Sequence, residues 1–285
     1  MKVIDTVTEL QNHILDLNLV PVGFVPTMGA LHDGHLSLVE KGVSLCPVLV
    51  VSIYVNPTQF NDKNDLRNYP RTPDSDIQLL QKILRKGDAV FIPHDKEIYP
   101  EEDKSTFHFG NLDLVMEAVQ RPGHFNGVAQ VVSRLFEIVK PDIAIFGMKD
   151  FQQLAVIKEL VRQTENKVKI IGNPIIREYD GLAMSSRNRL LEPEIRLNAS
   201  IIYKTISKAS SMIAQKEIHE IKSFVINSFN DVPRFNVEYF EIVDDTELIP
   251  VNKKTEMHRN RKYYGCIAVK AGNIRLIDNV EIELV

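Results

Sequence analysis

Two histidines and two glycines lie within seven residues, from Gly29 to His35, shortly after the apolar run VGFV at 22–25. A helix that begins near Gly34 would offer unpaired backbone N–H groups and the positive end of its dipole to an anion. Glycine lets phosphate approach the backbone closely. The imidazoles of His32 and His35 can donate hydrogen bonds to charge that develops on phosphate oxygens. Taken together, the four residues predict a stretch that holds ATP phosphates during chemistry at the α-phosphate. Singly, each glycine fits a turn, and the two histidines alone also fit a metal site.

The spacing His-x-Gly-His, at 32–35, resembles the signature of the nucleotidyltransferase superfamily, which includes the class I aminoacyl-tRNA synthetases. It is not a Walker A motif, because the chain contains no Gly-x-x-x-x-Gly-Lys-Ser/Thr. The resemblance implies a second, basic loop much later in the chain, after the last strand of the sheet. The segment MSSRNRLL at 184–191 fills that position, with Ser185, Ser186 and Arg187 available to the phosphates.

The elements that must position these residues alternate along the first two thirds of the chain. Runs nearly continuous in apolar residues predict strands that are covered on both faces, at 22–27, 47–55, 89–93, 142–147 and 168–176. Helical patterns lie near 34–43, 74–86, 124–139 and 150–165. This alternation predicts an α/β fold, a Rossmann-like doubly wound parallel sheet. Ligands of such sheets bind beyond the carboxyl ends of the strands.

After about residue 175 the pattern changes. A long helix is predicted over 192–215 and a second near 217–229, followed by three strand-like runs at 235–243, 263–271 and 273–282. A length of 285 residues is more than one hydrophobic core usually serves. We therefore expect two domains, a Rossmann-like ATP-binding domain over 1–175 and a smaller α+β domain over 176–285. The smaller domain is expected to act as a lid that keeps water from a reactive intermediate.

Composition limits the classes of partner. The formal net charge of −4 argues against a general nucleic-acid-binding protein. The two cysteines, Cys46 and Cys266, lie far apart, which disfavours a disulfide or zinc framework and favours a reducing compartment. The chain has no run of 18 apolar residues, and its charged start does not resemble a signal peptide. We therefore expect a cytoplasmic protein with no membrane and no nucleic acid among its partners.

Four further motifs can be read with the first two: YVNPTQFN at 54–61, YPRTPDSD at 69–76, RPGHFNGVAQVV at 121–132 and FGMKDFQQL at 146–154. Together with PTMGALHDGH and MSSRN, in this order, they resemble the pantoate–β-alanine ligase family. The resemblance implies a Rossmann-like domain that binds ATP and pantoate, followed by a smaller domain, usually in a homodimer. It implies Mg-ATP-dependent condensation of (R)-pantoate with β-alanine through a pantoyl-adenylate, with release of pyrophosphate and AMP.

The same resemblance assigns site residues by position. It implies His35 as the catalytic proton donor, with His32, Lys149 and Arg187 also acting on the phosphates. It implies that Gln59 and Gln153 hold pantoate and that Gln59 also lies near β-alanine. The ATP-binding residues that it implies are Met28, Gly29, Ala30, Leu31, His32, Asp33, Gly34, His35, Gly147, Met148, Lys149, Asp150, Ile176, Met184, Ser185, Ser186 and Arg187.

Residue chemistry agrees with these roles. Glutamine donates and accepts hydrogen bonds without bringing a charge that would repel the pantoate carboxylate. The geminal methyl groups need an apolar wall, for which Pro26, Met28 and Phe60 are candidates. Asp74 and Asp76 are candidates to hold Mg²⁺, although acidic residues are also favoured at a helix start that follows Pro73.

Three alternatives remain open from the sequence. Another nucleotidyltransferase of the superfamily, one that leaves AMP on a phosphorylated acceptor, would share the histidine motif and the Ser-Ser-Arg loop. The two pantoate-type glutamines argue against it. A relative of the tRNA synthetases is disfavoured by net charge and by the lack of an anticodon-type domain. A binding protein without activity is disfavoured by the presence of His35, Lys149 and Arg187.

Overall fold

A computed structural model of the chain describes residues 1–284. The first part of the chain forms a six-stranded parallel sheet with strand order β1-β4-β3-β2-β5-β6. Its strands are Lys2–Ile4 (β1), Val22–Thr27 (β2), Val48–Ile53 (β3), Ala89–Phe91 (β4), Ile143–Gly147 (β5) and Lys169–Asn173 (β6). The chain proceeds from β2 outward to β3 on one side, and β5 pairs with β2 on the other. The gap between β2 and β5 is therefore the topological switch point, where ligands of such sheets bind.

Helices cover both faces of this sheet, as the apolar strands require. The helices of this part of the chain are Val7–Leu17 (α1), Asp33–Leu45 (α2), Lys63–Asn68 (α3), Pro73–Leu80 (α4), Asp95–Ile98 (α5), Met116–Gln120 (α6), His124–Val139 (α7) and Phe151–Gln163 (α8). Successive strand residues enter opposite cores: Phe24 and Val50 pack with α7 and α8, whereas Val25 and Val51 pack with α2 and α4. All four side chains are fully buried. The predicted doubly wound parallel sheet is confirmed.

The last part of the chain forms the smaller α+β unit. Its elements are Pro193–Asn198 (α9), Ile201–Ser211 (α10), Ile218–Asn227 (α11), Phe235–Asp244 (β7), Tyr263–Ala271 (β8) and Ile274–Ile282 (β9). The strands form an antiparallel sheet in the order β7-β8-β9. Their inner face packs on the helices in a core that includes Ile206, Val225 and Ile267.

Two helix boundaries differ from the prediction. The single helix expected over 192–215 is wrong: the chain forms α9 and α10, because the N–H of Ala199 bonds to the Arg196 carbonyl, three residues back, and tightens the turn. The helix expected to reach residue 86 ends at Leu80 for a similar reason. After Leu80 the N–H groups of Lys82 and Ile83 also bond three residues back.

The antiparallel sheet is held against the first part of the chain. Tyr239, Tyr264 and Cys266 belong to the same core as α7 and α8, and the rings of Phe151 and Tyr264 lie 4.3 Å apart between centroids. The division at residues 175 and 176 lies just after β6, and it stays a prediction.

Within residues 1–284, no helix is both long enough and apolar enough to cross a bilayer.

Candidate active site

A cavity of about 220 Å³ opens at the carboxyl ends of the parallel strands, beside the switch point. Most of the predicted site residues line it. They are Met28, His32, Gly34, His35, Gln59, Gly147, Lys149, Asp150, Gln153, Ile176, Met184, Ser185, Ser186 and Arg187. Segments that lie far apart in the sequence therefore meet in one place, as the sheet topology predicts.

Five residues predicted to bind ATP do not line this cavity: Gly29, Ala30, Leu31, Asp33 and Met148. Leu31 is almost wholly buried in the core beneath α2, and Asp33 is exposed. ATP contacts of these five residues stay a prediction.

The turn that follows β2 is held by a carboxylate from α4. The Oδ2 of Asp76 accepts the N–H of Ala30 at 2.9 Å, and its Oδ1 accepts the N–H of Leu31 at 2.8 Å. The Thr72 hydroxyl donates to the same carboxylate at 3.2 Å. Asp76 is 1% exposed, and so it has a structural role in shaping the histidine loop. Asp74 lies exposed on the first turn of α4, and neither acid lines the cavity.

His32 caps the helix that carries His35. Its Nδ1 accepts the N–H of Gly34 at 3.1 Å, so the proton of the neutral ring resides on Nε2. The N–H of His35 donates to the His32 carbonyl at 2.7 Å. Unpaired N–H groups were expected at this helix start, and for Gly34 and His35 that expectation is wrong, because both groups already have partners within the loop. Binding of an anion here stays a prediction. The helix dipole and the two imidazoles can still attract an anion.

The two imidazoles lie side by side, with ring centroids 4.1 Å apart. Burial lowers the pKa of His35 to about 3, with the neighbouring His32 and Lys149 adding to the effect. Burial and Lys149 lower the pKa of His32 to about 4. The Nδ1 of His35 is buried and has no hydrogen-bond partner among residues 1–284. Both rings are therefore neutral in the free protein at neutral pH, and a bound polyanion would favour their protonation.

Lys149 links the loop after β5 to the later basic loop. Its Nζ donates to the carbonyl of Met184 at 2.9 Å. Burial lowers the pKa of Lys149, and the carboxylates of Asp150 and Asp278 oppose that effect. An ammonium group in a desolvated position interacts with a phosphate more strongly than one in water.

The Ser-Ser-Arg loop begins a short 3-10 turn over Ser186–Leu190. The hydroxyl of Ser185 accepts the N–H of Arg187 at 3.2 Å and caps this turn. The guanidinium of Arg187 lies 3.1 Å from the carboxylate of Asp65 on α3. Because that pair is partly exposed, Arg187 can exchange Asp65 for a phosphate at small energetic cost.

Gln59 is held by polar partners: Asn56, which the sequence did not single out, and Arg121 and His124, which lie in the motif at 121–132. The Nδ2 of Asn56 donates to its Oε1 at 3.3 Å and to the Gly127 carbonyl at 3.0 Å. Arg121 Nη1 lies 3.1 Å from His124 Nε2, and His124 Nδ1 lies 2.8 Å from the Gln59 carbonyl. Since arginine can only donate, the proton of His124 is on Nδ1 and is donated to that carbonyl.

Adjacent glutamines have different roles at the start of α8. Gln152 is buried, where its Nε2 donates to the carbonyls of Leu112 and Val115. Gln153 faces the cavity, as predicted for a pantoate ligand.

The apolar wall of the cavity comes mainly from α7. It consists of Val128, Val131, Val132 and Leu135, with Pro26 and Met28 from the end of β2 and the loop after it. Phe60, also a candidate for this wall, does not line the cavity and packs edge-on against Tyr69 at 5.7 Å between centroids. The spacing of the α7 residues is the pattern of any buried helix face, so sequence alone could not distinguish wall from core.

Residues 1–284 hold no group of three or more His, Cys, Asp or Glu side chains arranged to bind a metal ion. Mg²⁺ usually takes phosphate oxygens and water, with only one or two carboxylates.

Comparisons with known proteins agree along the whole chain. A family described as pantoate-beta-alanine ligase matches residues 2–281. The pantothenate synthetase of Azobacteroides pseudotrichonymphae is 50% identical over 282 residues, which cover 98% of this chain and 99% of that protein. The pantothenate synthetase of Bacteroides thetaiotaomicron is 49% identical over 286 residues, with 99% of each chain covered.

Solved structures give the same result. The crystal structure of pantothenate synthetase from Thermus thermophilus has a TM-score of 0.90 and 38% identity, with both chains fully covered. Pantoate-beta-alanine ligase from Francisella tularensis, complexed with Beta-gamma ATP and beta-alanine, has a TM-score of 0.77 and 32% identity, covering 100% of this chain and 99% of that one. The chain, with its histidine, lysine and glutamine side chains gathered at the switch point of its sheet, belongs to the pantoate–β-alanine ligase family.

Proposed function

We propose that this protein condenses (R)-pantoate with β-alanine to form pantothenate, at the expense of ATP. The observation that carries the proposal is the shared cavity in which His32, His35, Lys149 and Arg187 face Gln59 and Gln153. Membership of the family supports the same reaction. The Francisella relative solved with Beta-gamma ATP and beta-alanine supports these two ligands.

The first step joins pantoate to AMP. A carboxylate oxygen of pantoate attacks the α-phosphorus of ATP, and the bond from that phosphorus to the bridging oxygen of pyrophosphate breaks. Because the carboxylate is already ionised at neutral pH, this step needs no general base. It needs alignment of the two substrates and stabilisation of the negative charge on the α-phosphate and on pyrophosphate.

The charged and polar side chains on one side of the cavity supply that stabilisation. Lys149 and Arg187 bring positive charge to the phosphates, and His32 presents its Nε2–H. Both imidazoles are neutral in the free protein. The negative charge of bound ATP raises their proton affinity. His35 then serves as the proton donor to the phosphates.

Pantoate occupies the side of the cavity that combines amides with an apolar wall. Gln59 and Gln153 hydrogen-bond its hydroxyl and carboxylate oxygens, and the valines of α7 contact its geminal methyl groups. Asn56, Arg121 and His124 hold Gln59 in place.

The second step releases AMP. The neutral amine of β-alanine, bound near Gln59, attacks the acyl carbon of pantoyl-adenylate. The C–N bond forms, the bond from the acyl carbon to the AMP oxygen breaks, and the amine proton passes to solvent or to AMP.

The proposal also includes the metal ion, the oligomeric state, the compartment and the roles of the two domains. Mg²⁺ enters with ATP as Mg-ATP, the protein works as a homodimer, and its compartment is the cytoplasm. Residues 1–175 hold ATP and pantoate. Residues 176–285 act as a lid, with the segment at 184–191 closing over the triphosphate.

The test is release of pyrophosphate and AMP from Mg-ATP, first with pantoate alone and then with β-alanine added. We expect pantoate alone to support ATP–pyrophosphate exchange, and β-alanine to convert it to steady AMP release. His35→Ala should slow the exchange by orders of magnitude while the protein stays folded. If pantoate does not support exchange in the wild type, the proposal is wrong. Transfer of AMP to a phosphorylated acceptor would then identify another nucleotidyltransferase.

A further inference from the structure

We propose that Asn279, on the last strand of the small sheet, is a positioning residue for Lys149, so that this sheet builds part of the adenylation site. The inference rests on the proposed function of Lys149. Asn279 does not line the main cavity, and it is 4% exposed. It therefore acts on the reaction only through the loop that it holds.

The amide of Asn279 bonds directly to the backbone of the lysine loop. Its Nδ2 donates to the Met148 carbonyl at 2.9 Å and to the Lys149 carbonyl at 3.2 Å. Carbonyl oxygens only accept hydrogen bonds, so the nitrogen of the amide must face them. On its other side the loop is held by the N–H of Met148, which donates to the Asn173 carbonyl at 2.9 Å.

An ion pair holds β9 in the register that this contact needs. Arg177 donates to both carboxylate oxygens of Asp278, at 2.7 and 3.0 Å, and to the carbonyl of Asn279 at 3.2 Å. Its guanidinium lies 3.7 Å from the centroid of the Tyr203 ring. Asp278 is 3% exposed. A bidentate, buried pair of this kind fixes direction as well as distance.

These contacts join three segments on the phosphate side of the site: β9, the loop that carries Lys149, and the segment that leads to Met184. Arg177 follows β6 closely and lies in the segment that leads to Met184, whose carbonyl receives the ammonium of Lys149 at 2.9 Å. β9 thus connects the loop that carries Lys149 to the segment that carries Ser185 to Arg187.

Without the Asn279 amide, two carbonyls of the lysine loop lose their donor, and the loop can shift. Misplacement of a catalytic group by about 1 Å can slow a reaction by about a hundredfold. Gln59, on the turn at Pro57–Gln59 that packs on α7, does not depend on β9, whereas Gln153 lies on α8, which directly follows the lysine loop. The defect should therefore appear mainly in kcat of adenylation, with a smaller rise in the KM for pantoate through Gln153.

The experiment measures pantoate-dependent ATP–pyrophosphate exchange in Asn279→Ala, with Asn236→Ala as the matched control on an exposed position of β7 of the same sheet. We expect kcat to fall about 10- to 100-fold in Asn279→Ala and not in the control. Asn279→Asp, which keeps the size of the side chain but loses the donors, should fall at least as far. This second variant keeps the proposal testable if Asn279→Ala does not fold.

A double-mutant cycle with Lys149→Ala separates positioning from general damage. If Asn279 acts through Lys149, adding Asn279→Ala to Lys149→Ala should change kcat by less than about twofold. A full additional loss in the double variant, or normal kcat in both Asn279 variants, overturns the proposal. If the wild type shows no exchange, the proposed function fails instead. Binding of a non-hydrolysable ATP analogue to wild type and Asn279→Ala then still decides the role: weaker binding in the variant supports it, and equal binding overturns it.

Discussion

At the scale of single residues, the site depends on how His32 is held rather than on free backbone N–H groups. The ring of His32 both caps α2 and faces the cavity, so one hydrogen bond sets the start of the helix and the tautomer together. Gly34 makes this possible because it has no side chain: a Cβ there would lie 2.8 Å from His32 Cε1 and 2.9 Å from its Nδ1.

Gly34→Ala is therefore expected to affect activity and stability differently. Alanine favours a helix by up to about 1 kcal/mol over glycine, so the free energy of unfolding should stay within about 1 kcal/mol of the wild type. The imidazole must move, and kcat of ATP–pyrophosphate exchange should fall at least about tenfold, about 1.4 kcal/mol of barrier. Urea unfolding and exchange kinetics measure both effects.

Gly87→Ala is the matched control for this change, since a Cβ at that position meets only ordinary contacts with Leu17. Wild-type kcat in Gly34→Ala would show that the position of His32 is unimportant.

At the scale of elements, α7 both supplies the apolar wall of the cavity and supports the turn that carries Gln59. The two elements touch at Gly127, where a Cβ would lie 2.5 Å from the Thr58 carbonyl oxygen and 2.8 Å from the Gln59 Cα. These neighbours are backbone atoms that cannot rotate away. The contact distance between helix and turn therefore decides where the Gln59 amide lies.

Gly127→Ala should push the turn outward and weaken binding of pantoate. Overpacking of this kind costs about 1–3 kcal/mol of stability. The KM for pantoate should rise about tenfold or more, with a smaller effect on the KM for ATP. Ser133→Ala, on the same helix, is the control and should leave both constants unchanged. Equal changes in the two KM values would contradict a local effect on the pantoate side.

At the scale of the whole molecule, a buried charge cluster joins the small sheet to α6. Glu117 accepts Arg275 at 2.6 and 2.7 Å and the hydroxyl of Tyr239 at 2.6 Å, and Arg275 also pairs with Glu238 at 2.6 Å. Burial alone would raise the pKa of Glu117, but Arg275 and Tyr239 hold it below its usual value. Together with the Asn279 contact to the lysine loop, this cluster fixes the small sheet against the first part of the chain.

Glu117→Ala should destabilise the fold by about 3 kcal/mol, because it leaves the half-buried Arg275 without its main partner. Urea unfolding measures the loss. Glu192→Ala, which removes an exposed ion pair with Arg234, is the control and should change stability far less. Similar losses of stability in the two variants would show that burial of the Glu117 cluster does not strengthen its contribution to the free energy of unfolding.

The buried histidines predict a dependence of stability on pH. Burial lowers the pKa of His32 and His124 to about 4 and that of His35 to about 3, against an ordinary value near 6.5. At a pH between its folded pKa and its ordinary pKa, each of these histidines binds a proton in the unfolded chain and not in the folded chain. Stability therefore rises with pH in this window and is lost as pH falls below about 6.5.

Each of the three groups contributes up to about 1.4 kcal/mol per pH unit within that window. Urea unfolding between about pH 5 and 7 lies above the range in which most carboxylates titrate, and it should show the decline on the acid side. His124→Gln should make the slope shallower. A flat profile in the wild type would contradict neutral burial of these rings.

Elements whose patterns are local could be predicted from the amino-acid sequence. The apolar run at 22–27 became β2 with the predicted bounds, and the alternation of strands and helices indicated the parallel sheet. The motif residues His32, His35, Lys149 and Arg187 were predicted to share a site, because loops after parallel strands meet at one edge of the sheet.

The partner of each polar group, by contrast, depends on how the elements pack in three dimensions. Asp76 and Asn279 are bound to loops that lie 45 and more residues away in the chain, and no local pattern separates them from ordinary acidic or amide side chains. The wall residues of α7 likewise share the spacing of a buried helix face. Periodicity reports which way a residue faces relative to its own element, whereas hydrogen-bond partners depend on which other element packs against it. That packing is set by the whole fold.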